Sequence, residues 1–226
     1  MKHNLRTKLI AIDGPVAVGK SSVGWLLAKR LGYFFFDTGL LYRAFTWKIV
    51  KLGVSPVDEK ELSRIVGETD FDFLPYQGCT YYPVIDGEDV ATKITRSEVE
   101  EKVCLVSKVA DVRHRMVVEQ RKLASRGNMV MAGRDIGSVV LPDAGLKIFL
   151  VASVEERANR RYKEVAERGN KVTLDVILNE LQTRDNADKN RAISPLKPAK
   201  DAVVIDTGGL TLEQVVDEIY NLAVGQ

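Results

Sequence analysis

Eight residues near the amino terminus, Gly14-Pro15-Val16-Ala17-Val18-Gly19-Lys20-Ser21, constrain this chain more than any other stretch. They satisfy G-x-x-x-x-G-K-S/T, a loop whose backbone N–H groups cradle the phosphates of a nucleoside triphosphate. The setting carries as much weight as the letters. Leu9-Ile10-Ala11-Ile12 precedes the loop as a short apolar, β-branched run that reads as a buried strand. Val23, Leu26, Leu27, Arg30 and Leu31 follow at helical spacing, and Gly32 is placed as a helix stop. Strand, loop and helix in that order aim the loop amides and the positive helix end at one spot. Lys20 then reaches the β- and γ-phosphates, and the Ser21 hydroxyl meets Mg²⁺. A glycine turn that only joins a strand to a helix is the competing reading.

Apolar runs like the first recur at Tyr33–Phe36, Met129–Met131, Leu146–Val151 and Val203–Ile205. Helical patterns at 20–31, 39–52, 154–167 and 211–223 follow most of them. Such alternation predicts an α/β fold with a parallel sheet. A long amphipathic run from about Ser97 to Ser125 is one helix or two. Two regions break the rhythm. Residues 71–87 read as strand, turn at Gln77-Gly78, strand, and turn at Asp86-Gly87, an antiparallel insert expected to lie outside the parallel sheet. Residues 169–200 open with Gly169-Asn170, carry a charged helix, and end in Ser194-Pro195 and Lys197-Pro198, a candidate lid.

Composition narrows the function classes. The 226 residues carry a net charge of +2, so no global field points to a nucleic-acid polymer or a membrane surface. Residues 157–200 differ, with eleven Lys and Arg against six Asp and Glu, which suits closure over polyphosphate. Cys79 and Cys104 lack metal-ligand spacing and read as reduced thiols of a cytoplasmic protein. His3 and His114 are isolated and receive no role. Asp13 interrupts the first apolar run, so no signal peptide is expected, and no stretch reaches the ~20 apolar residues of a membrane span. Nothing demands a dimer, and a monomer is the default expectation.

Two clusters speak to what accepts the phosphoryl group. Asp37-Thr38-Gly39 follows the second strand, at the carboxyl end where open α/β sheets hold ligands. Tyr42 and Arg43 fall in the next helical turns, and Arg43 can grip a monophosphate bidentately. Alternatively, Asp37 or Thr38 caps the helix and Arg43 lies on the surface. Gly133-Arg134-Asp135-Ile136-Gly137 follows the third strand, and a buried ion pair holding that loop is its competing reading. In the arm, Arg184, Asp188 and Arg191 share one face if the helix persists that far, as do Arg157, Arg160 and Arg161 on the preceding helix. Closing one helix over the other would surround the γ-phosphate with guanidinium groups. A solvated face, with Asp185 and Lys189 as an ordinary surface pair, is the plainer alternative.

The runs GPVAVGKSS, DTGLLYRA, GRDIGSVVLPDA, EERANRR and TRDNADKNRAISPL, in that order, resemble bacterial cytidylate kinase over nearly the whole chain, from Ile10 to about Tyr220. The resemblance implies one P-loop NTPase domain over 1–226, with a central five-stranded parallel sheet flanked by helices. It places a monophosphate-binding region with a β insert at about 54–100 and a helical lid at about 157–198. It implies ATP as donor, Mg²⁺ as cofactor and CMP or dCMP as acceptor. Carried over, Gly14 to Ser22 and Arg157 hold the donor, and Ser21 also holds the metal. Thr38, Tyr42, Arg43, Cys104, Arg113, Arg134, Asp135 and Asp188 line the acceptor site. Lys20, Arg184 and Arg191 take the catalytic roles. Cys104 stands where the family has a cytosine-reading serine, with Ser107 one helical turn on, and Ala187 and Lys189 replace arginines often found in the arm.

Other classes fit less well. A GTP switch needs Asn-Lys-x-Asp, and Asn170-Lys171-Val172-Thr173 lacks the aspartate. A binding regulator without catalysis need not keep Lys20, Ser21 and the clustered arginines. Among kinases, UMP, another monophosphate or shikimate is the rival acceptor.

Overall fold

A single sheet organises the computed structural model, which describes residues 7–76, 78–167, 172–191 and 193–225. Its strands are β1 (Leu9–Asp13), β2 (Phe34–Asp37), β3 (Phe71–Tyr76), β4 (Thr80–Ile85), β5 (Glu88–Asp89), β6 (Met129–Gly133), β7 (Leu146–Val151) and β8 (Val203–Asp206). They run in the order β3-β4-β2-β6-β1-β7-β8, with β5 paired to β4. The five strands β2-β6-β1-β7-β8 are parallel throughout, as expected.

The insert departs from expectation. Instead of standing apart, β4 pairs in parallel with β2 through Phe35 and Thr80, while its other edge pairs antiparallel with β3. The sheet thereby gains three strands and reaches eight. Aromatic packing explains why the insert docks. Phe34 stacks on Tyr81 at 4.8 Å, and Phe36 meets Phe73 edge-on at 5.3 Å. Leaving the hairpin free would expose these rings.

Helices cover both faces, because strands buried on two sides alternate side chains between two cores. On β1, Ile10 and Ile12 face α1 (Lys20–Leu31) and α8 (Leu212–Val224), joining Val23, Leu27, Val215 and Ile219. Ala11 points the other way, into the core of α2 (Thr38–Lys51), α3 (Glu59–Glu68), α4 (Ser97–Val106) and α5 (Ala110–Ala124). The run from Ser97 is two helices, because Val109 turns extended at φ −67°, ψ 127°. Helix α3 was not expected within the insert region, although Leu62, Ile65 and Val66 are buried at helical spacing and Asp58 caps its start.

The arm comprises α6 (Val154–Glu167) and α7 (Leu174–Lys189). Ala158, Ile177 and Leu181 form their small shared core, against which Val16 and Ala17 of the P-loop pack. The expected opening at Gly169-Asn170, the Asn170-Lys171 string, His3 and Gln77 lie outside the described residues. Helix α7 ends at Lys189, so Arg191 lies beyond it and the expected three-residue face stops at Asp188. The alternative of Asp185 as half of an ordinary surface pair with Lys189 fails: Asp185 is 9% exposed and paired with Arg157.

Candidate active site

Three strand tips meet at one edge of the sheet. Asp13 of β1 lies level with Gly133 of β6, and Ala132 lies level with Asp37 of β2. Each tip ends in one of the motifs singled out above, so parallel register alone gathers them.

The P-loop leaves β1 by passing close to β7. A Cβ on Gly14 would sit 2.5 Å from the Leu150 carbonyl oxygen, so only glycine permits this path. Gly19 then enters α1 at φ 95°, and Ala17 holds φ 59°, uncommon for a residue with a side chain. Lys20 is buried and folds back, its Nζ donating to the Pro15 carbonyl at 2.5 Å. Burial pushes its pKa well down and nearby Arg134 adds to this, whereas Asp37, Asp13 and Asp188 oppose the shift. A bound polyanion would favour the ammonium form in the same way. The Ser21 hydroxyl donates to Asp37 Oδ2 at 2.5 Å, setting two hard oxygens side by side. Asp37 also caps α2 through the Gly39 N–H.

A continuous cleft of about 1240 Å³ runs from this loop to the motifs at the ends of β2 and β6 and to the arm. Val16 to Ser22 line it, whereas Gly14 and Pro15 do not. Thr38, Tyr42, Arg43, Cys104, Ser107, Arg113, Arg134, Asp135, Arg184, Ala187, Asp188 and Arg191 complete much of the wall. Thr38 ties two tips together by donating to the Ala132 carbonyl at 2.9 Å. Burial pushes the Tyr42 hydroxyl up to about 12, keeping it a neutral donor, and the Arg113 guanidinium lies 5.6 Å from its ring centre.

Most of the cations lining the cleft are held by resident carboxylates. Arg43 donates Nε and NH2 to Glu100 at 2.9 and 3.1 Å, and Arg184 approaches the same carboxylate at 3.8 Å. Burial works against the Arg43 charge, but Glu100 outweighs it and its pKa is raised. Arg134 pairs with Asp188 at 2.9 Å, Arg191 pairs with Asp188, and buried Arg113 pairs with Asp135. Burial pushes Asp188 up, yet Arg134 and Arg191 hold its carboxyl below the usual range. The Arg134-Asp135 couple is therefore two separate ion pairs rather than one.

Arg157 departs furthest from expectation. It does not line the cleft; its guanidinium, 4% exposed, lies under the P-loop. There it donates to the Val16 carbonyl at 3.1 Å and to Asp185 at 2.6 and 3.2 Å. Arg160 and Arg161 do line the cleft, but Arg160 turns to Thr207 and Arg161 to Glu164, so the three arginines of α6 do not converge. Sequence reasoning also missed Glu100 and the far wall of Thr207, Leu210, Thr211, Leu212 and Val215. The signal available for that wall was Gly208-Gly209, just past the end of β8.

The family model for cytidylate kinase matches residues 10–224. The chain is 44% identical over 217 residues to a cytidylate kinase from Caldanaerobacter subterraneus subsp. tengcongensis, covering 96% of this chain and 94% of that protein. It is 47% identical over 210 residues to the cytidylate kinase of Pelotomaculum thermopropionicum, covering 93% of each. Among solved structures, a shikimate kinase from Bacteroides thetaiotaomicron superposes with a TM-score of 0.50 at 13% identity, covering 95% of this chain and 97% of that one. A gluconokinase from Sinorhizobium meliloti gives 0.50 at 16% identity over 97% and 92%. These two likenesses are of fold alone. With a family model spanning nearly all its length, the chain belongs to the cytidylate kinase family.

Proposed function

We propose that this chain transfers the γ-phosphoryl group of ATP to CMP and dCMP, yielding ADP and CDP or dCDP. The observation that carries the reading is the single cleft joining a P-loop to arginines at two further strand tips and on an arm. The acceptor needs no strong base, because a phosphate monoester ionises a second time at about pH 6. Catalysis is then positioning and charge neutralisation.

In this reading, the amides of Val16 to Ser22 and Lys20 hold the ATP phosphates. Thr38, Tyr42, Arg43 and Arg113 hold the acceptor, with Arg134, Asp135 and Asp188 at its base and sugar and Cys104 in the place of the family's serine. Ser21, with Asp37 beside it, presents oxygens suited to Mg²⁺, which prefers one or two protein oxygens plus phosphates. Bound there, Mg²⁺ would neutralise charge on the transferring group. Arg184 and Arg191 exchange Glu100 and Asp188 for substrate phosphate as the arm closes, excluding water that would otherwise accept the phosphoryl group. Arg157 serves the donor site from beneath, through the Val16 carbonyl.

We further propose that residues 1–226 act as one monomeric, cytoplasmic kinase unit on free nucleotides, with the acceptor region at about 54–100 and the lid at about 157–198. The thiols of Cys79 and Cys104, both free, support a reducing compartment. No helix among the described residues is long and apolar enough to cross a membrane. A coupled ADP-release assay across CMP, dCMP, UMP, AMP, GMP and shikimate tests the substrate. CMP and dCMP should turn over fastest; rapid turnover of AMP or shikimate with none of CMP would overturn the reading.

A further inference from the structure

Asp13 is a buried charge that the reaction above leaves without a task. It ends β1, directly before Gly14, and is 3% exposed. Its two carboxylate oxygens accept from the backbone N–H groups of Ile136 and Gly137, each at 2.7 Å. Those residues open a short π-helical turn, Ile136–Val140, immediately after Arg134 and Asp135. The residue at the turn's own cap, Asp135, makes no side-chain capping bond. Asp13 supplies that cap from a different strand.

Holding a carboxylate here is costly. Burial raises its pKa to about 6 and Asp135 adds to the rise, while the two amides and Lys20 pull it back. An apolar residue would pack without that cost, so packing alone does not explain an aspartate.

We infer that Asp13 is a positioning residue, whose carboxylate bridges the strand of the donor loop to the turn behind Arg134 and Asp135 and keeps the acceptor wall in register with the P-loop. The donor loop has supports of its own, in Lys20 to Pro15, Arg157 to Val16, and Gly14 against Leu150. Loss of the bridge should therefore strike the acceptor harder than ATP, which Asp13 reaches only through its secondary pull on Lys20. This inference rests on the kinase reading proposed above.

The test is Asp13→Asn in the full chain, where one amide oxygen accepts and the amide NH2 opposes the second N–H. KM for CMP should rise about tenfold while KM for ATP stays within about twofold. Amide hydrogen exchange across residues 134–140 should quicken about tenfold. Gly137→Ala disturbs the same turn from the other side, since its Cβ would meet the Lys147 side chain at 3.2 Å. It should give the same KM split, and it keeps the inference testable if Asp13→Asn does not fold. Equal rises in both KM values, unchanged KM values, or unchanged exchange would each overturn the inference. Absence of CMP turnover in the unmutated protein would instead sink the kinase reading, and exchange, needing no substrate, would still judge Asp13.

Discussion

The P-loop and the arm both face the cleft, but they are built by opposite means. In the loop the backbone makes the site: a strand end, a glycine that only just clears Leu150, and a helix start aim amides at one point. In the arm the side chains make it. Their charges are already engaged, Arg184 near Glu100 and Arg191 on Asp188. A backbone site is ready before its ligand arrives, whereas a side-chain site must trade one anion for another. Arg157 joins the two, gripping Val16 of the loop and Asp185 of the arm together.

This contrast orders the expected effects of perturbation. Lys20→Ala should lower kcat about 10³-fold, about 4 kcal/mol, with melting temperature nearly unchanged. Turnover near normal would remove Lys20 from the chemistry.

Arg157→Ala should strike both regions at once. It leaves Asp185 buried without a partner, a loss of about 3–4 kcal/mol in stability readable by urea titration. Unchanged stability would mean that loop and arm are not fastened there.

Asp13 supplies a pH signature. Its carboxyl is raised from 3.8 to about 6 in the folded protein, so its contribution favours folding below about pH 4 and is lost as pH rises through 6. The total is on the order of 3 kcal/mol. The stability difference between the unmutated protein and Asp13→Asn should therefore fall across that window in melting curves from pH 4 to 7. A flat difference would mean an ordinary carboxylate.

Arg43→Ala should cost about thirtyfold in kcat/KM for CMP, about 2 kcal/mol, with little change in KM for ATP. No change would place Arg43 outside the acceptor site. Arg161→Ala should move stability by no more than about 0.5 kcal/mol, because its pair with Glu164 is exposed.

The local segments were readable because short-range physics decides them. Gly32 stops α1 at φ 70°, and the run Leu146–Val151 is a strand at the expected bounds. Thr38, Tyr42, Arg43 and Arg134, expected at an acceptor site, do reach the same cleft as Lys20, because parallel strands present their carboxyl ends on one edge. What escaped reading has a different origin. The edge pairing of β4 with β2 depends on Phe34 meeting Tyr81, residues 47 positions apart by their numbering. Arg157 gave no sign that it would turn under the loop while Arg160 and Arg161 turned elsewhere, since all three share one charged run.

Strand, phosphate loop and helix follow from the order of residues 9–32, through periodicity, β-branching and the conformational freedom of glycine. Those terms act between neighbours in the chain. The partners of the charges belong to the folded molecule alone. Asp13 meets Ile136 and Gly137 across 123 and 124 residues of chain, and Arg134 meets Asp188 across 54. Charge acts through space and burial strengthens it, so which carboxylate holds which arginine is settled only when the sheet brings them together.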